Sequence, residues 1–235
     1  MEITAAEAFA RYEQAFNEDR LTQGSWHIER DGRHLACALG TLGENVTSPA
    51  DCPASVMPRW LAQMVPAFFD NQKFEDAKDW GKRFYAALAK LDGNVPFSVV
   101  HHWHAHTVCP LGIEAAEKRE RDTAPHKALQ ALHLRALSGE KISADEWRPV
   151  LRYAYANAYA YAYAYADADA YANAYANANA NAYANAYANA NANAYADAYA
   201  YAYANADAYA DADAYAYAWK RLADGMVDAL NAVEA

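Results

Sequence analysis

The chain has 235 residues with 20 basic and 30 acidic side chains, which gives a formal net charge of −10 at pH 7. Because proteins bind nucleic acids largely through Lys and Arg, this balance argues against direct binding of nucleic acid. The sequence has no run of about eighteen apolar residues, no basic leader before an apolar segment, and 3 cysteines without paired spacing, so we expect a soluble cytoplasmic protein without membrane contact, signal peptide or disulfide framework.

The composition changes abruptly twice along the chain. From Tyr153 to Ala218 every second residue is Ala, and each residue between is Tyr, Asn or Asp. We therefore predict three parts: a small α-helical domain over 1–152, a low-complexity Tyr/Asn/Asp–Ala repeat over 153–218, and an amphipathic C-terminal helix over 219–235.

The first predicted helix begins at a capping box. Thr4 and Glu7 have the spacing in which each side chain bonds the other residue's backbone amide, and helical apolar spacing then runs to Asn17. The next segment, 26–42, contains the turn signal Asp31-Gly32. A short hairpin and a turn before a helix are both compatible with that segment.

Prolines divide the middle of the domain. A helix-start signal lies at 48–51, but Pro53, Pro58 and Pro66 follow, so only short helical pieces are expected over 56–69. Over 74–91 an apolar stripe with helical spacing ends before a Gly, which predicts one long helix.

The rest of the domain predicts further helices. One is expected over 98–108 and is broken by Pro110, and a second follows over 111–121. A third starts near Pro125 and stops at Gly139. A second capping box, Ser143 with Glu146, opens the helix that leads into the repeat.

The densest group of polar side chains is the segment 101–106, HHWHAH. On a regular α-helix, His102, His106 and Cys109 would share one face at i, i+4 and i+7, which could bring two imidazoles and a thiolate to one Zn²⁺. The pattern lacks a clear fourth ligand, and packed or solvated histidines are the ordinary alternative. Cys52 lies near a possible helix start, where a thiolate could be stabilised; His27 or His34 could serve as its base, but nothing in the sequence selects either, and an inert thiol is the ordinary alternative.

The repeat can be interpreted in three ways. Strict alternation places all Ala on one face of an extended strand, so we favour a β-solenoid or serial short strands. A long α-helix is the alternative, because Ala is the best helix former and neither Gly nor Pro interrupts the segment. The third is an expansion by codon slippage without selected structure.

The segment HKALQALHLRALSGEKISADEWRPVL, the Ala-rich tail and the closing WKRLADGMVDAL resemble uncharacterised phage and bacterial proteins with Ala-rich tails, some grouped with immunity proteins of the Imm-five-like kind. The resemblance implies no catalytic residues. It favours a non-catalytic interaction or inhibitor protein of a phage or bacterial conflict system.

In such a protein the acidic, Tyr-rich repeat would face a protein partner, either a basic or a nucleic-acid-binding one, and would act as a nucleic-acid mimic. Two other functions stay open from the sequence. The Ala faces of neighbouring chains could pack and drive self-assembly through the repeat. A zinc-dependent enzyme would instead use His102, His106 and Cys109.

Overall fold

The computed structural model describes residues 3–118, 120–163 and 212–233, with the side chains of 154–163 and 212–214 left aside. Within these ranges the chain is mostly helical and has one two-stranded sheet, so the predicted helical domain and C-terminal helix are confirmed. The elements are α1 Ala5–Asn17, β1 His27–Arg30, β2 Arg33–Ala36, α2 Arg59–Asp70, α3 Phe74–Lys90, α4 Ser98–Trp103, a π-helical turn His104–Val108, α5 Cys109–Lys118, α6 Ala124–Leu137, α7 Ala144–Tyr163 and α8 Ala212–Asn231.

The chain divides into two compact units. The first unit joins Met1–Val99 to Trp219–Ala235, and the second unit is Val100–Ala218. The closing segment of the chain therefore belongs to the same unit as its first ninety-nine residues.

Helix α1 begins at the predicted capping box. The Thr4 amide donates to Glu7 Oε2 at 2.7 Å, and the Glu7 amide donates to Thr4 Oγ1 at 3.2 Å. These bonds satisfy two amides that have no partner within the helix, which fixes where α1 starts.

The segment 26–42 contains both structures that the sequence left open. Strands β1 and β2 form an antiparallel hairpin that pairs Arg30 with Arg33 at its tip. Asp31 and Gly32 connect them with φ values of 53° and 71°, the left-handed geometry of a two-residue hairpin turn. A 3-10 turn, Gly40–Leu42, follows the hairpin.

The prediction of short helical pieces over 56–69 is wrong for its second part. Helix α2 is continuous over twelve residues with Pro66 inside it, and Pro58 stands at its N-cap. Pro66 removes one helical hydrogen bond, but eight of the helix's residues are buried. The burial offsets the lost bond because each large apolar side chain contributes about 1.5–3 kcal/mol.

The core of the first unit is aromatic. The Trp80 ring stacks on Phe84 at 4.8 Å and meets Phe68 at 5.7 Å, and Phe68 meets Trp219 edge-on at 6.3 Å. The Trp80 indole donates to the Ala223 carbonyl at 2.9 Å. Helix α8 therefore packs on α3 and completes this core.

In the second unit, the predicted break at Pro110 is wrong. Helix α4, the π-helical turn and α5 follow one another without a gap, and the Cys109 amide bonds the His104 carbonyl, five residues back. In this register the Ala105 carbonyl faces Pro110, which has no N–H to give. Gln130 Nε2 supplies the missing donor at 2.8 Å, so α6 repairs the defect that the proline creates.

Both described ends of the repeat are helical. Residues 153–163 continue α7 and residues 212–218 open α8, so the strand prediction is wrong for these two stretches. Each continues a helix with a folded flank, so it adds hydrogen bonds without a new nucleation cost, and Ala has the highest helix propensity. The β-solenoid, the serial strands and the long helix predicted for 164–211 lie outside the described residues.

Candidate functional site: a buried histidine cluster

Three imidazoles and one indole meet inside the second unit. His101 comes from α4, His104 from the π-helical turn, His133 from α6 and Trp147 from α7. We call these four residues the histidine cluster. His104 is 3 % exposed and His133 is 6 % exposed, so two of the three imidazoles are buried.

The rings touch in a defined order. His101 Nδ1 lies 3.0 Å from His133 Nδ1, and the His104 and His133 rings stack at 4.5 Å with 14° between their planes. Trp147 stacks on His101 at 5.8 Å and meets His133 edge-on at 4.9 Å. Trp147 therefore covers the two imidazoles that are hydrogen-bonded to each other.

Burial keeps the cluster neutral. It lowers the pKa of His104 from 6.5 to about 3, with a further contribution from His101. Burial also lowers the pKa of His133 well below its usual range, with contributions from His104 and His101, and it lowers the pKa of His101. Three uncharged rings in contact can pack, whereas a charged ring among them would be desolvated and repelled.

His104 carries an additional cost. Its Nδ1 atom is buried and has no hydrogen-bond partner among the described residues. A buried polar atom of this kind costs about 1–3 kcal/mol, and such atoms in native proteins call for an explanation. His104 is therefore held in place by the packing around it and not by a hydrogen bond from its Nδ1.

Two polar contacts hold α7 on either side of the cluster. Arg135 of α6 binds Glu146 at 2.8 Å and also pairs with Glu140. The Tyr153 hydroxyl donates to Asp122 Oδ2 at 2.8 Å, while Asp122 Oδ1 accepts from the Ala124 amide at the start of α6. The first residue of the repeat is thus tied to the second unit.

The residues predicted to bind zinc are only partly brought together. The His102 and His106 rings lie 4.5 Å apart. Cys109 is buried in an apolar cluster with Leu129, against which Trp147 packs. Because the π-helical turn replaces the α-helical spacing assumed for the three residues, Cys109 does not continue their face, and no group of three or more His, Cys, Asp or Glu side chains within the described ranges could hold a metal ion. Zinc binding by these residues stays a prediction.

Cys52 is not activated. It caps the C-terminal end of a 3-10 turn, Pro49–Asp51, rather than the start of a helix, and burial raises its pKa to about 12. In the same unit, the stacked pair His27 and His34 lies on the hairpin, with 3.3 Å between His34 Nε2 and His27 Nδ1. Neither group provides a thiolate with a base beside it.

A cleft of about 140 Å³ opens beside the hairpin in the first unit. Two of its polar side chains already serve the fold: Asp70 accepts from the Gly24 amide at 3.1 Å, and Cys37 Sγ accepts from the Gly40 amide at 3.4 Å. Burial raises the pKa of both Asp70 and Cys37. Asp70 and Cys37 therefore hold the backbone on either side of the hairpin.

The sequence did not indicate the histidine cluster because its members come from distant segments. The pattern of 101–106 is compatible with packed histidines, but nothing local in the sequence pairs that segment with His133 or Trp147. No described helix is long and apolar enough to cross a membrane. No protein-family model, no curated protein and no solved structure matches the chain.

Proposed function

We propose that this chain is a non-catalytic, cytoplasmic interaction or inhibitor protein of a phage or bacterial conflict system. Its acidic, Tyr-rich repeat is the surface that meets a protein partner. The partner is basic and of the kind that binds nucleic acid, so the repeat competes with nucleic acid for it.

One observation carries this proposal: the repeat begins and ends in helices that are docked on folded units. Helix α7 is held by Trp147, Glu146 and Tyr153, and α8 is held from Trp219 onward. A segment anchored at both ends loses less conformational entropy on binding than a free tail. This anchoring at both ends supports a role for the repeat as a binding surface.

The composition of the repeat supports a protein partner. It contains six Asp and no Lys or Arg, so its field attracts basic surfaces. Tyr gives large, rigid contact area with few rotatable bonds. Among the described residues, Tyr153 and Tyr217 are large side chains that are 47 % and 62 % exposed.

For 164–211 we retain two conformations within the proposal. A β-solenoid or serial short strands would sort Ala from the Tyr, Asn and Asp side chains, and a long helix would distribute them around a rod. The helical ends favour the rod, and the alternation favours the strands. Far-ultraviolet circular dichroism of the isolated repeat separates the two.

Length-preserving variants test the function most directly, since α7 and α8 both extend into the repeat. One variant changes the six repeat Asp to Asn, and the other changes the repeat Tyr residues after Tyr153 to Ala. The natural chain and both variants compete with duplex DNA for binding to a Lys-rich, non-specific DNA-binding protein, which is the probe. We expect the natural chain to displace DNA, the Asp→Asn variant to lose most of this effect, and the Tyr→Ala variant to bind more weakly.

Equal competition by all three chains would overturn the proposal, as would no competition by the natural chain. Sedimentation of the same samples tests self-assembly through the repeat. A monomer at every concentration excludes that alternative, and association that persists in the Tyr→Ala variant would point to the Ala faces.

A further inference from the structure

Helix α7 carries the start of the repeat, and it rests on three uncharged imidazoles. We propose that this contact is a pH-sensitive switch: α7 stays docked while His133 is neutral, and protonation of His133 releases α7 together with the first residues of the repeat. The biological role of this switch rests on the proposed function, because release of α7 would change the conformation of the first residues of the repeat. Its test requires no partner.

The hydrogen bond between His101 and His133 is the contact of the cluster that changes on protonation. Two Nδ1 atoms 3.0 Å apart can bond only if one carries hydrogen and the other offers a lone pair. With His133 as the accepting ring, its protonation turns both facing nitrogens into donors. The contact then becomes repulsive, and it lies directly beneath Trp147.

The third imidazole amplifies this effect. His104 stacks on His133, so a charge on His133 would face a second ring that is itself buried. Movement of Trp147 away from the cluster lets water reach these rings and hydrate the unpartnered His104 Nδ1. The imidazoles therefore bind protons more readily in the released state than in the docked state.

The charged groups on the neighbouring elements do not compensate a charged cluster. Cys109 of α5 lies in the adjoining apolar cluster, and His126 at the start of α6 faces Asp122. Arg135 of α6 is engaged with Glu140 and Glu146, and Arg148 of α7 pairs with Asp145 at 3.0 Å. The carboxylates around the cluster are thus paired with other groups.

The direction of the response follows from the lowered pKa values. Burial lowers the pKa of His133 in the docked state, so docking is complete above pH 6.5 and weakens as the pH falls below that value. The Glu146 and Asp122 contacts respond at lower pH, because hydrogen bonds with Arg135 and with the Ala124 amide, respectively, lower the pKa of these carboxylates. A transition between pH 5 and 6.5 therefore reports on the histidines.

Fluorine NMR of the full chain labelled with 5-fluorotryptophan measures this transition. The chain has 6 Trp, and the Trp147 resonance is assigned with a Trp147→Phe variant. As the pH is lowered from 7.5 to 5, we expect the Trp147 resonance to move toward its hydrated position, while Trp80 and Trp219 of the first unit stay unchanged. The ratio of released to docked α7 should rise about tenfold per pH unit as His133 takes up a proton.

Matched variants assign the transition. His133→Phe and His101→Phe each keep a ring against Trp147 without a titrating nitrogen, and either should lower the midpoint or flatten the transition. Glu146→Gln should weaken docking at every pH without moving the histidine midpoint. If one Phe variant fails to fold, the other gives the answer.

A Trp147 resonance that is constant down to pH 5 would overturn the proposal. The same midpoint in the natural chain and in a folded Phe variant would overturn it as well. Neither result bears on binding by the repeat, and failure of the DNA competition leaves the switch intact.

Discussion

In both units a helix packs over a group of buried rings, but the rings differ in their chemistry. In the first unit the residues beneath α8 are Phe68, Trp80 and Phe84, and the Trp80 nitrogen has a carbonyl partner. In the second unit the residues beneath α7 are imidazoles, and the Nδ1 of His104 has no hydrogen-bond partner in the part of the chain that the structure describes. An aromatic core is indifferent to protons, whereas an imidazole core is stable only while it is neutral.

Truncation of Trp219, which anchors α8, should cause the largest loss of stability. Trp219 is fully buried against Phe68, so Trp219→Ala should destabilise the first unit by about 3–5 kcal/mol. Urea unfolding followed by circular dichroism measures the loss. Trp219→Phe is the control and should lose clearly less; equal losses would show that ring burial is not the cause.

A single methyl group should also disturb the first unit. A Cβ at Gly81 would lie 2.1 Å from the Tyr12 hydroxyl, whose hydrogen bond to the Lys78 carbonyl fixes it in place. Gly81→Ala should therefore cost about 1–3 kcal/mol in the free energy of unfolding.

The double variant Tyr12→Leu with Gly81→Ala isolates this clash. Its loss should be smaller than the sum of the two single losses, because Leu removes the atoms that a Cβ at residue 81 would meet. Additive losses in urea unfolding would show that the close approach does not limit this site.

The pH dependence of stability should distinguish the units. The pKa of His104 is lowered from 6.5 to about 3 by burial, so its contribution is complete above pH 6.5 and is lost as the pH falls toward 3. Between pH 7.5 and 5.5 the natural chain should lose roughly 1 kcal/mol more in the second unit than His104→Leu does. Hydrogen exchange of α6 amides at several pH values measures this difference, and an unchanged slope in the variant would contradict it.

The ion pair between α3 and α8 should matter less. Arg83 binds Asp224 at 2.6 Å and Asp79 at 2.8 Å, and all three side chains are partly exposed. Asp224→Asn should cost about 0.2–1 kcal/mol, and added salt should reduce the difference from the natural chain. A loss as large as that of Trp219→Ala would show that the pair, not the rings, holds α8.

Metal removal should have the smallest effect. We expect purified protein to hold less than stoichiometric zinc and to keep its circular dichroism spectrum after chelation, because Cys109 packs in an apolar cluster. Elemental analysis measures the content. Stoichiometric zinc that disappears in His102→Ala and Cys109→Ala would restore the predicted three-residue site.

Local signals in the sequence predicted many of the helix boundaries. The pair Thr4 and Glu7 marked the start of α1, and Ser143 with Glu146 marked the start of α7, where the Glu146 amide donates to Ser143 Oγ at 3.3 Å. Capping boxes are reliable because all their atoms come from four consecutive residues. The apolar stripe of α3 was found for a similar reason, since its period is a property of one helix.

The errors came from interactions between segments. Pro66 and Pro110 were expected to break helices, but burial of α2 and the Gln130 side chain offset their missing amide hydrogens. The histidine cluster escaped prediction because residues 101 and 133 become neighbours only when α4 and α6 pack. The strand prediction failed at both described ends of the repeat because each end extends an existing helix.

Completion of the first unit by α8 has a consequence during synthesis. The ribosome makes the Trp80 helix early and reaches Ala223 only after the 119 residues of Val100–Ala218 have been added. At about 5–20 residues per second this takes roughly 6 to 24 seconds. During that time the aromatic residues that α8 covers have no partner from the C-terminal segment, and the 66 residues of the repeat account for more than half of the delay.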